Sequence, residues 1–123
     1  MSKAEKDAVR EERIMMEVVV DAYGAEEQAM GWYYYLADNL NFPFKARCIA
    51  GRGTSPLNVG DQVDVVKMAP EDDCLHEMFV EIRWSGRTLA IPLSQIEPIE
   101  TDDKTCEAIE DWHYWVARGY EFG

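Results

Sequence analysis

Apolar and polar positions divide the chain into a helical opening, a middle of short alternating runs and a helical close. From Lys3 to about Ala22, the apolar positions Ile14, Met15, Val18, Val19 and Ala22 recur at i, i+1, i+4, i+5 and i+8, which is one face of a helix. The run Val18-Val19-Val20 pulls the same stretch toward strand, because branched Cβ atoms lose rotamer freedom in a helix. Gly24 interrupts the pattern. A second helix fits Ala25 to Leu40, with Glu26 and Glu27 in its first turn, where the macrodipole favours anions. Ala29, Trp32, Tyr33, Leu36 and Leu40 form its apolar face, and Phe42-Pro43-Phe44 stops it. Strands are expected over Lys45 to Ala50, Gln62 to Met68, Met78 to Trp84, Arg87 to Leu93 and Ile96 to Ile99, with Ser85-Gly86 as a tight hairpin turn. A last helix runs from about Asp103 to Arg118 and stops at Gly119.

This order predicts an α+β domain: a small SH3-like antiparallel β-barrel flanked by two N-terminal helices and one C-terminal helix. No repeat or linker divides the 123 residues, so one domain over residues 1–123 is expected, loose over residues 1–8. The chain is 47% hydrophobic and carries four tryptophans, enough to bury a core.

Charge narrows the choice of function. Twelve basic against 24 acidic residues give a net charge of −12, which disfavours nucleic acid and anionic membranes and favours cations or basic proteins. The opening stretch Met1 to Arg13 is charged and does not read as a signal peptide, and no apolar run is long enough to span a membrane. A cytoplasmic monomer is expected. Cys48, Cys74 and Cys106 then read as free, packed thiols.

The acids cluster. Ala69-Pro70-Glu71-Asp72-Asp73-Cys74-Leu75-His76-Glu77 packs four carboxylates, a thiol and an imidazole into one loop. Asp38 ends the second helix beside Asn39 and Asn41. On the last helix Asp103, Glu107, Glu110 and Asp111 share one face, opposite Cys106, Ile109, Trp112, His113 and Val116. Carboxylates gathered from separate loops suit calcium, which takes six to eight oxygen ligands in irregular geometry. They equally suit a solvated face, and Asp102 and Asp103 also serve as a helix cap. The spacing is not that of an EF-hand loop. Zinc has Cys74, His76 and Cys48 to draw on, but no paired ligand motif and not the four ligands a structural site needs. No nucleophile elbow, phosphate loop or dinucleotide fingerprint is present, so no enzyme is expected. The run Gly31-Trp32-Tyr33-Tyr34-Tyr35 reads as core rather than a base-stacking platform.

Several stretches in order carry a resemblance: Gly31 to Asp38, Phe42-Pro43-Phe44, Ser55-Pro56-Leu57 with Gly60-Asp61, Met68 to Cys74, His76 to Val80, Leu89 to Leu93, and Ile109 to Trp115. Together the chain resembles the cyanobacterial calcium-binding protein family of the CcbP type, from about Ile14 to Phe122. The resemblance implies a small acidic cytoplasmic calcium buffer or sensor without EF-hands, in filamentous cyanobacteria linked to heterocyst differentiation. It implies Asp38 as the first ligand, with Glu71, Asp72 and Asp73 in the family's acidic loop and Glu110 and Asp111 as the acidic pair before Trp112. Glu107 joins that pair on the same helix face. At Ala37 the chain departs from the family, where an acid often stands. The competing expectation is an acidic SH3-like module that docks a basic protein without metal.

Overall fold

The computed structural model describes residues 7–53 and 55–122. Of the loose stretch expected over residues 1–8, residues 1–6 lie outside the described residues. The elements in chain order are α1 (Ala8–Arg13), a π turn (Ile14–Val18), α2 (Ala25–Asn39), β1 (Phe44–Cys48), β2 (Gln62–Met68), a 3₁₀ turn (Glu71–Cys74), β3 (Phe79–Trp84), β4 (Arg87–Pro92), a second 3₁₀ turn (Leu93–Gln95), β5 (Ile96–Ile99) and α3 (Asp103–Ala117). The α+β class and the flanking helices are as the sequence implies. None of these helices is long and apolar enough to cross a membrane.

The five strands form an antiparallel sheet in the order β4-β3-β2-β1-β5. It is open. Among the described residues no ladder joins β4 to β5, so the expected closed barrel does not form. Val66 is left out of register between the pairs Val65–Ile82 and Lys67–Glu81, a bulge that bends β2. The Ser85-Gly86 turn takes φ of 50° and 81°, both left-handed, the twist that a two-residue hairpin needs. Ala46, Val63, Val65, Val80, Ile82 and Ile91 are buried from the sheet, and Trp32, Leu36, Ile109 and Trp112 from α2 and α3 join the same core.

The first helix differs from its expectation. It is α-helical only to Arg13, then widens into the π turn, closed by the Val19 amide on the Ile14 carbonyl at 3.0 Å. Ile14 and Val18 are buried as the periodicity implies, whereas Met15 is exposed. Gly31 of α2 lies directly against this turn. A Cβ on Gly31 would collide with the Val18 carbonyl, so α2 can pack against this backbone only with glycine there. Gly31→Ala gains about 1 kcal/mol of helix propensity but forces backbone against backbone. The clash wins, and the variant should lose about 1–3 kcal/mol in urea unfolding, the usual range for overpacking.

His113 of α3 is half-buried, with Nε2 at 3.3 Å from the Leu93 carbonyl. Burial pushes its imidazole below the ordinary value of 6.5. The fold therefore favours the neutral ring, and the unfolded chain takes the proton first as pH falls. Stability should be full above about 6.5 and decline as pH drops from there to the lowered value in the fold. Chemical denaturation across that window, with His113→Gln as the flattened control, checks it.

Candidate metal centre

Successive residues of a helix are about 100° apart, so the run Trp32-Tyr33-Tyr34-Tyr35 points four ways. Trp32 enters the core and packs edge-on against Trp112, with ring centres 5.1 Å apart. The Tyr33 hydroxyl donates to the Ala69 carbonyl at 2.8 Å. The Tyr34 hydroxyl donates to Glu71 Oε1 at 2.9 Å. The Tyr35 hydroxyl donates to Asp111 Oδ2 at 2.8 Å. One aromatic run thus ties α2 to both of the main acidic groups. The tyrosines read as core from the sequence are half-buried or exposed polar ties.

The acidic loop is a 3₁₀ turn, closed by the Asp73 amide on the Pro70 carbonyl at 2.9 Å. Glu71, Asp72 and Asp73 are exposed. Cys74 is fully buried beneath them, where the Phe79 amide donates to its sulfur at 3.4 Å. Burial raises the Cys74 thiol, which disfavours the thiolate a soft metal needs. Cys48 is buried elsewhere, donating to the Ala50 carbonyl at 3.2 Å. His76 is exposed. Both oxygens of Glu77 are held by Arg52 Nη2 at 2.8 Å. Asp38 is exposed on α2, four residues after Tyr34 and so on the same helix face. Glu71 reaches that face through Tyr34.

The acids of α3 are placed differently. Asp111 is fully buried, not on an exposed face. Its Oδ1 accepts from Arg10 Nη1 and Arg13 Nη2, each at 2.7 Å, and its Oδ2 accepts from Arg13 Nε at 2.9 Å and from Tyr35. Glu107 lies 3.7 Å from Arg13 Nε and Glu110 3.9 Å from Arg10 Nη2, both more than half exposed. Burial and the bond to Asp111 raise the Tyr35 phenol well above its ordinary value. Glu107, Glu110 and Asp111 do share one face, and it is turned toward Arg10 and Arg13 rather than open to solvent. The buried stripe of α3 runs through Thr105, Ala108, Ile109, Trp112 and Trp115, with Asp111 at its covered edge, while Val116, expected inside, is exposed. Arg10 and Arg13 were not anticipated as partners. Their signal was present: two arginines three apart on a helix of a strongly acidic chain.

Among the described residues, no group of three or more histidine, cysteine, aspartate or glutamate side chains stands close enough to hold a metal ion. Exposed carboxylates without an arginine partner include Asp38 and the Glu71-Asp72-Asp73 turn, and also Glu12, Glu17, Asp21 and Asp103; Asp38 and the turn are the ones drawn together by the tyrosine ties of α2. Oxygen donors without thiolate or imidazole fit a hard cation such as calcium and do not fit zinc.

Fold and donor set thus define an acidic α+β domain with oxygen chemistry for a hard cation. The chain belongs to the CcbP calcium-binding family, whose description is calcium binding and which it matches over residues 12–116. Calcium is the ion of that family, which is one of calcium-binding proteins rather than of enzymes. Two solved structures are similar. The crystal structure of Anabaena CcbP is 47% identical, with a TM-score of 0.88, covering 99% of this chain and 100% of that one. A calcium-binding protein in its calcium-binding form is 46% identical, with a TM-score of 0.86 over the same shares. Among curated proteins none matches.

The geometry makes Asp111 an internal counterion. Asp111→Asn would leave two guanidiniums facing a neutral amide. Breaking such a buried pair costs about 3–5 kcal/mol, and the roughly one-fifth exposure of both arginines lowers that to about 2–4 kcal/mol. Urea unfolding of the variant against wild type measures the loss.

Proposed function

We propose that this protein is a cytoplasmic calcium buffer or sensor that takes up the ion without an EF-hand, at the face shared by Asp38 and the Glu71-Asp72-Asp73 turn. The observation that carries the reading is the Tyr34–Glu71 hydrogen bond, which holds the acidic turn against the helix face that ends in Asp38. Carboxylates of Asp38, Glu71, Asp72 and Asp73 do not stand gathered without the ion; they would turn toward it on binding, with carbonyls and water completing its shell. The protein's part is to concentrate negative charge and present oxygens that calcium can gather. No catalytic step is assigned.

The carboxylates are exposed side chains, and ordering them opposes binding by the rotamer entropy lost. Calcium tolerates the resulting irregular geometry better than magnesium, which demands a near-ideal octahedron. Selectivity therefore favours calcium, and affinity falls toward the weak end, on the order of 10⁻⁵ to 10⁻³ M. Glu107 and Glu110 are weaker candidates, because Arg13 and Arg10, at 3.7 and 3.9 Å respectively, offset part of their charge. Asp111 is left out of the ligand set. No residue carries an argument for heterocyst differentiation.

Calorimetric titration with calcium at physiological salt and excess magnesium tests the assignment. Wild type should give a saturating isotherm, Asp38→Ala and Asp72→Asn should each weaken it about tenfold or more, and Glu107→Gln should leave it nearly unchanged. A trace abolished by magnesium would sink specific calcium binding. A trace insensitive to Asp38 would move the site elsewhere.

A further inference from the structure

Among the described residues, five of the ten large apolar side chains that are exposed fall within residues 9–23: Val9, Met15, Met16, Val20 and Tyr23. Val9 on α1, Met16 in the π turn and Val20 in the turn that follows are 71%, 66% and 50% exposed, while Ile14 and Val18 of the same stretch are buried. The inner side is already satisfied. Ile14 and Val18 pack into the core, and Arg10 and Arg13 are clamped on Asp111. The segment is thus anchored on its inner side while Val9, Met16 and Val20 are exposed. Glu12, Glu17 and Asp21 are exposed along the same stretch. The combination is a set of exposed apolar side chains interspersed with exposed acids, on a segment anchored by the ion cluster at Asp111.

We propose that the outer face of residues 9–21 docks a basic amphipathic helix of a partner protein, with apolar anchors on Val9, Met16 and Val20 and lysine or arginine meeting Glu12, Glu17 and Asp21. Charge selects this occupant. A second copy would set one acidic rim against another, at a net charge of −12 on each chain. An anionic membrane would be repelled for the same reason. Methionine is an unbranched, polarisable side chain that adapts to varied partner surfaces. The proposal stands apart from the calcium reading, since none of its residues belongs to that ligand set.

The probe is a dansyl-labelled amphipathic helical peptide of leucine and lysine, titrated with the full chain and followed by fluorescence anisotropy. Saturable binding should weaken about tenfold when Met16→Ser and Val20→Ser are combined, as expected from removing two anchoring side chains. Glu12→Gln with Glu17→Gln should weaken it several-fold and flatten its salt dependence. Both variant pairs replace exposed side chains, and circular dichroism confirms their fold; Val9→Ser is the alternative should the first pair unfold. Binding that salt abolishes but that neither Met16→Ser with Val20→Ser nor Val9→Ser alters is bulk attraction and overturns the proposal. Sedimentation showing self-association of the chain alone, lost in Met16→Ser, would assign the face to a second copy and overturn it as well.

Discussion

A single carboxylate organises the helical half of this protein. Asp111 sits at zero exposure and accepts hydrogen bonds from two arginines of the first helix and one tyrosine of the second. A lone buried carboxylate would be costly, and two guanidiniums with one phenol fill its acceptor positions. Three helices thereby meet at one point. The neighbouring contacts follow from that junction: Tyr114 and Tyr120 both donate to Glu11 Oε2, at 2.7 and 2.8 Å, and Tyr114 accepts from the Asp7 amide at 2.9 Å. Each sews the N-terminal segment to α3 or to the residues just after it. Near this junction the π turn also approaches α2 so closely that Gly31 has no room for a side chain.

The same junction divides the acids into two populations. On α3, arginines occupy the carboxylate face and lower its capacity for an added cation. On the turn after β2, the polar contact is a neutral phenol, the Tyr34 hydroxyl on Glu71. A phenol donates a hydrogen bond without cancelling charge, so it positions the turn and leaves its attraction for cations intact. Acidic composition alone cannot make this distinction, because Glu110 and Asp72 count alike in a net charge. The partner decides which acid is structural and which is available.

Much of the fold was legible because its signals are local. The alternation over Gln62–Met68 and the left-handed Ser85-Gly86 turn are written in adjacent residues, and the strands fall where those residues place them. So does α3, started by Asp102, whose side chain accepts from the Thr105 amide at 2.9 Å. The misread features are non-local. Closure of a sheet depends on whether its two edge strands reach each other, and no periodicity within β4 or β5 states that. The inward placement of Asp111 depends on Arg10 and Arg13, about a hundred residues away in sequence. The acidic groups themselves were visible as clusters. Their division by arginine was not.

Tyr33, Tyr34 and Tyr35 show how one short run resolves an ambiguity that composition leaves open. A tyrosine triplet on a helix was expected mainly as core, and burial alone would have made it so. Helical geometry instead sends each hydroxyl in its own direction: to a backbone carbonyl at the end of β2, to a surface carboxylate and to a buried one. The ring bodies still pack, with Tyr35 edge-on to Trp32 at 5.9 Å. The rings thus add to packing while the hydroxyls fix the acidic turn relative to the helix that ends in Asp38. A flexible acidic loop would lose more entropy on gathering an ion than a turn already pinned at both Ala69 and Glu71. In the calcium reading proposed above, this pinning supplies part of the ordering an ion would require, and the exposed side chains of Asp72 and Asp73 would have to supply the rest.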